Sequence, residues 1–240
     1  MENTRSSMRL AIMQPYLFPY IGYFQLIHAV DRFVVYDDVN FIKQGWVNRN
    51  RILIGNEPHL FTMPLIDAGS FTPINAIALG AGYANWRPKF LKTLTQVYRK
   101  APHFEQAMHV VEQALHPERK HLSELLVASL RAVMDHVGIS TELVSTSANY
   151  KNNDLAGQER VLDICRQEGA SDYVNPIGGV ELYSKAAFAE RGIRLWFLRS
   201  ALNAYPQFGT TFHPGLSIVD VMMFVQASDL KRMMADHTLE

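Results

Sequence analysis

The chain has 240 residues, 48% hydrophobic and 19% charged, and 23 Lys+Arg balance 23 Asp+Glu to a formal net charge of zero. Such a chain can bury a full core in one large or two small domains, and its even charge argues against nucleic acid as a partner. One cysteine, Cys165, excludes an internal disulfide framework and fits a reducing cytoplasm; MENTRSSMRL lacks a signal-peptide core, and no apolar run is long enough to insert in a membrane.

The first seven residues, Met1 to Ser7, read as a polar, frayed end. Arg9 to Asp38 then reads as strand, loop, helix and strand. The apolar run Leu10–Met13 stops at Gln14-Pro15. An aromatic loop leads into a helical stripe through Phe24, Ile27 and Val30, and Phe33–Tyr36 ends in Asp37-Asp38. This is the βαβ opening of a parallel sheet. Ligands of such sheets bind beyond the carboxyl ends of the strands, beside helix N-termini.

Gln44-Gly45 and Gly55-Asn56 are turn signals, the second closing a hairpin between Arg51–Ile54 and His59–Met63. Asp67–Tyr83 reads as loop with a short strand. Helical period sets in at Trp86 and runs to Val137 in three stripes, with Pro88, Pro102 and Pro117 near their beginnings and Gly138 as a C-terminal cap. The α/β alternation then resumes. Strands are expected at Thr141–Ser145, Asp172–Val174 and Ile193–Leu198. Helices are expected at Leu155–Glu168, Glu181–Glu190 and about Leu216 to Met234. The expectation is one α/β domain over residues 1–240: a mainly parallel sheet flanked by helices, with a nucleotidylyltransferase-like βαβ start and a helical insertion or subdomain at about 85–138.

Chemistry-bearing residues cluster in loops that should lie at the carboxyl edge. Tyr20-Ile21-Gly22-Tyr23 keeps the spacing of the HxGH motif of nucleotidylyltransferases, with tyrosines in place of both histidines. A phenol donates a hydrogen bond but carries no positive charge near neutral pH. Phosphate binding through Gln14, Tyr20, Gly22 and Tyr23 is therefore one reading, and aromatic packing of the loop is the other.

Asp37 and Asp38 suit Mg²⁺, the one metal cofactor the sequence hints at, or a sugar hydroxyl, against an ordinary strand-ending turn. Lys43, Asn48, Arg49 and Arg51, interleaved with Trp46, form the densest polar cluster and suit an anion, against a solvated hairpin surface.

Asn175, Gly178 and Gly179 offer backbone N–H groups at a helix entrance, or simply a tight turn. His213, in an aromatic and proline-rich loop, has the chemistry of a general acid or base. Ser217-x-x-Asp220 reads more naturally as a helix cap than as part of a Ser-His-Asp set. His28 and Cys165 sit on apolar helix faces and read as structural. His103, His109, His116 and His121 match no compact metal-ligand spacing.

Several of these blocks together resemble the WbqC-like proteins: MQPYLFPYIGY at residues 13–23, VYDDV at 35–39, NRNR at 48–51, YVNP at 173–176, Gly178-Gly179, Leu182-Tyr183 and GLSIVD at 215–220. The resemblance spans residue 8 to about 225. It implies a setting among bacterial genes for O-antigen and other surface glycans, and assigns no reaction. Residues and context together lead to three expectations. The first is a transferase acting on a phosphate-bearing nucleotide sugar or glycan precursor, with acyl or aminoacyl transfer to an amino sugar as a variant. The second is a nucleotide-binding relative without catalysis. The third is an interaction protein of a glycan-assembly complex that docks through its aromatic loop.

Overall fold

The computed structural model describes residues 7–240. Of the polar terminal stretch, Met1–Ser6 lie outside the described residues.

Six strands form one mixed sheet in the order β5-β2-β1-β6-β7-β8. These are β1 (Arg9–Met13), β2 (Arg32–Val35), β5 (Glu142–Val144), β6 (Asp172–Pro176), β7 (Arg194–Ser200) and β8 (His237–Leu239). The first five are parallel, and β8 runs antiparallel along β7. The chain winds outward from β1 to β2 and β5, then returns to β6 and winds the other way. This places a topological switch between β1 and β6, where an open α/β sheet forms its crevice.

Both faces of the sheet are covered, so its strands are nearly continuous apolar runs rather than alternating ones. Alternation still decides which layer each residue feeds. Ala11, Phe33 and Val35 join the core on one face, with helices α1 (Ile21–His28), α4 (Leu122–Val137) and α8 (Ala227–Ala235). Leu10, Ile12 and Val34 join the other, against α5 (Gly157–Glu168) and Phe188 of α6 (Lys185–Ala189).

Between β2 and β5 the chain makes a separate two-stranded hairpin, β3 (Arg49–Ile54) and β4 (Glu57–Thr62), then α2 (Ala81–Tyr98), α3 (Phe104–Ala114) and α4. The hairpin turn at Gly55-Asn56 has positive φ at both residues, 58° and 68°, as a tight turn matching strand twist requires. Gly138 closes α4 at φ 73°, and Ile139 N–H returns to Met134 O.

Several expectations are corrected. Helix α2 starts at Ala81, inside the stretch read as loop, so Pro88 sits within the helix rather than near its start. Packing of Trp86 on Phe90 and of Phe90 on Phe61, each at 4.6 Å, holds this face against the hairpin. Instead of a strand, Asp67–Tyr83 holds the 3-10 turn Ile74–Ala76. The helix expected over Glu181–Glu190 is a 3-10 turn, Ile177–Leu182, and the short α6, which Ser184 caps. The final helix is two, α7 (Ile218–Phe224) and α8, broken at Val225-Gln226 and followed by β8.

Candidate functional site

Three segments far apart in sequence meet at the carboxyl end of β1. The loop after β1 takes a backbone bond from Leu17 N–H to Val47 O at 3.0 Å. The buried Asn50 amide donates to Phe18 O at 2.8 Å, and Ser217 Oγ donates to the same carbonyl at 2.7 Å. Ser217 N–H bonds Arg51 O, and Ile218 N–H bonds Pro19 O. The Lys43–Arg51 segment therefore lies beside the first strand-helix loop. Ser217 is fully buried and its hydroxyl accepts from Val219 N–H, which makes it the N-cap of α7.

Strand period explains the division of labour in Asn48-Arg49-Asn50-Arg51. Residues two apart share a face. Asn48 and Asn50 are spent on the scaffold, Asn48 donating to Met63 O at 2.7 Å. Arg49 and Arg51 share the other face, with guanidinium carbons 5.6 and 5.8 Å from the Trp46 ring centroid. Their Nε atoms are shielded from water and have no hydrogen-bond partner among the described residues. Neither arginine makes an ion pair there. Beside them opens a cleft of about 240 Å³ lined by Tyr16, Tyr20, Trp46, Asn50, Arg51 and Gly215, among others. Lys43 is exposed on the adjoining turn.

The tyrosines of the first loop divide in the same way. Tyr23 is buried, packs its ring at a tilt against Tyr16 and Phe33 with centroids 5.5 Å apart, and donates to Gln14 O at 2.8 Å. Burial pushes its phenol pKa well up. Tyr20 instead lines the cleft. The space in front of Gly22 is filled: a Cβ there would sit 2.4 Å from the Tyr20 ring and 2.5 Å from Ser200 Oγ. This glycine admits a side chain and a neighbouring strand end, whereas the nucleotidylyltransferase-like reading has it admitting phosphate.

Asp37 and Asp38 diverge, because consecutive residues leaving a strand point to opposite faces. Asp37 is buried beneath α4, where it accepts from Ser123 Oγ, from Thr146 Oγ1 at 2.7 Å and from Ser147 N–H at 3.2 Å. Asp38 turns toward α5. It accepts from Ser147 Oγ and pairs with Arg160 at 2.5 Å. Arg160 also donates to Asn152 and Asn153 and lies 4.9 Å from the Tyr36 ring centroid. The two carboxylates thus meet only through Ser147, which donates its N–H to Asp37 and its hydroxyl to Asp38. Among the described residues, no three His, Cys, Asp or Glu side chains are grouped to hold a metal ion.

Across the switch point, Asn175 and Gly179 are fitted to one another. A Cβ on Gly179 would lie 1.9 Å from Asn175 Nδ2. The Asn175 amide donates to Pro176 O and accepts from the buried Tyr173 phenol. Gly178 is exposed. His213 is held by its backbone, which exchanges two bonds with the Gln207 side chain at 2.9 and 3.1 Å. Asp37 thus lines a cleft apart from that of Arg51, and the Asn48 and Asn175 amides are bonded within the protein.

Sequence reading missed the buried knot around Asp220. Its carboxylate accepts from Tyr98 Oη at 2.5 Å and Tyr205 Oη at 2.7 Å, tying α7 to α2 and to the preceding loop. Burial raises the Asp220 pKa, against the opposing pull of the Tyr98, Tyr205 and Gln207 donors. Also missed was a larger cleft, about 720 Å³, between α4 and the ends of β2 and β5, whose lining includes Asp37, Arg119, His121 and Arg131. Its one trace in the sequence is the charged turn Glu118–His121 between two helical stripes. Cys165 is buried as expected, its thiol pushed up to about 12 by burial.

Fold and site together define an α/β protein with a doubly wound mixed sheet and clefts along its carboxyl edge. The model of the WbqC-like protein family matches residues 14–232, and the chain belongs to that family. It is 33% identical over 223 residues to uncharacterized protein Rv1507c of Mycobacterium tuberculosis (strain ATCC 25618 / H37Rv), covering 91% of this chain and 94% of that protein. No solved structure matches it. Among the described residues, no helix is long and apolar enough to cross a membrane.

Proposed function

We propose that the protein is a group-transfer enzyme of bacterial surface-glycan biosynthesis, one α/β domain with a helical insertion at about 85–138, acting on a phosphate-bearing nucleotide sugar or glycan precursor. The observation that carries this reading is the pair of guanidinium groups of Arg49 and Arg51 over Trp46, without an ion pair among the described residues and beside the first strand-helix loop. Arginine forks bind phosphate oxygens bidentately, and shielding from water strengthens the bond. An aromatic wall of Tyr16, Tyr20 and Trp46 next to those forks suits a flat base or a sugar face.

Asp37, Asp38 and His213 are the groups suited to handle a proton or metal, and of these Asp37 and Asp38 are engaged by internal donors on both oxygens. His213 is bound through its backbone, two residues before the cleft residue Gly215, and we assign it the proton-transfer role. Lys43, Gln14, Asn175 and Gly178 complete the proposed substrate surface, with acyl or aminoacyl transfer to an amino sugar as the variant needing least from the protein. Docking of partners through the aromatic loop is disfavoured by the burial of Leu17, Phe18 and Tyr23. Calorimetric titration with UDP-N-acetylglucosamine tests the reading: Arg49→Ala should weaken binding by about tenfold or more, and unchanged affinity removes the cluster from the site.

A further inference from the structure

The cleft of about 720 Å³ between α4 and the carboxyl ends of β2 and β5 shares no lining residue with the Arg51 cleft. Its walls are fixed by backbone bonds. Asn75 N–H donates to Asp37 O at 2.9 Å, Leu79 N–H to Lys120 O at 2.7 Å and Leu122 N–H to Ile77 O at 2.9 Å. The Tyr83 phenol donates to His116 O at 3.1 Å and pins the turn that carries Arg119. Arg119 thus lines the cleft from a braced loop. Its Nε is shielded from water and unpartnered among the described residues, and it makes no ion pair there. Arg131 also lines the cleft and donates to Ser145 Oγ at 2.8 Å, leaving most of its donors free.

The same walls carry carboxylates, Asp37 at the floor and Glu124 and Asp135 in exposed positions, together with the amides of Asn75 and Gln113. Two arginines among three acids repel a polyanion such as a polyphosphate. They suit a ligand with one anionic group and several hydroxyls, the anion taken by an arginine fork and the hydroxyls donating to carboxylates and amides. We infer that this cleft binds a polyhydroxylated monoanion or sugar monophosphate, with Arg119 and Arg131 holding its charged group.

Ligand-observed NMR titration of the full chain with glucuronate, glucose 6-phosphate, glucose and inorganic phosphate tests the assignment. Glucuronate or glucose 6-phosphate should bind at least about tenfold more tightly than glucose or inorganic phosphate, and the preferred one identifies the charged group. Arg119→Gln should cost about tenfold in that affinity, and the exposed Arg131→Gln should show a similar loss without risk to the fold. Binding no tighter than that of glucose overturns the proposal, as does binding of inorganic phosphate equal to that of the sugar ligands. So does affinity unaffected by both substitutions. A loss on Arg51→Ala alone would place the ligand in the nucleotide-sugar cleft and likewise overturn it, so this result is separable from failure of the nucleotide-sugar reading.

Discussion

Arg160 and Asp38 pair at 2.5 Å with side chains only 5% and 4% exposed, joining α5 to the end of β2. A charge so far from water is tolerated only while its partner and further donors remain. Removing one partner leaves the other buried and uncompensated. Arg160→Ala should therefore destabilise the fold by about 3–5 kcal/mol, measured by urea denaturation. Loss below about 1 kcal/mol would mean that Asp38 reaches water or another donor.

Tyr98 donates to the buried Asp220 carboxylate and accepts from Leu53 N–H at 3.0 Å, so one phenol oxygen links α2, β3 and α7. Tyr98→Phe keeps the ring packing against Phe208 and Phe224 but removes both bonds. A hydrogen bond to a charged group contributes about 1.5–3 kcal/mol, and the substitution should cost at least that in chemical denaturation.

Asp172 makes stability depend on acid pH. Burial alone would raise its pKa, but donation from Trp196, Ser171, Arg194 and Ser7 outweighs burial and holds it below the ordinary 3.8. A carboxylate with a depressed folded pKa contributes stability that is present above its unfolded value and lost as pH falls through the folded one. Melting temperature should thus fall as pH drops below about 4, and Asp172→Asn should flatten that limb. An identical acid limb in the variant would contradict this account.

Gly22 receives the Tyr20 ring and Ser200 Oγ where a side chain would stand. Gly22→Ala should push Tyr20 into the cleft it lines. Overpacking of this kind costs about 1–3 kcal/mol of stability, and nucleotide-sugar affinity measured by calorimetry should fall with it. Retained affinity would show that Tyr20 is not part of the binding wall.

Much of the framework was legible in the sequence because it rests on local patterning. The βαβ opening, the Gly55-Asn56 hairpin, the Gly138 cap and the Ser217 cap each follow from residues within a few positions of one another. What escaped depends on distant partners. β8 is three residues long and exists only because β7 offers an edge. Helix α2 begins early because Tyr83 is buried against the α3–α4 turn. The separation of Asp37 from Asp38 was implicit in strand period, but their partners Ser123 and Arg160 lie 86 and 122 residues away. Arg119 and Arg131 carried no motif at all. The alternation Asn48-Arg49-Asn50-Arg51, by contrast, contained both the scaffold face and the cationic face.

In the proposed function, Arg49 and Arg51 grip a phosphate-bearing substrate over Trp46. The most direct test is calorimetry with UDP-N-acetylglucosamine and UDP on the native protein and on a variant carrying both Arg49→Ala and Arg51→Ala, with melting temperature as a folding control. Each lost charge-assisted contact should weaken binding by about tenfold or more, so the double variant should lose about a hundredfold in affinity for both ligands with its fold intact. Equal affinity in a folded double variant would contradict the account.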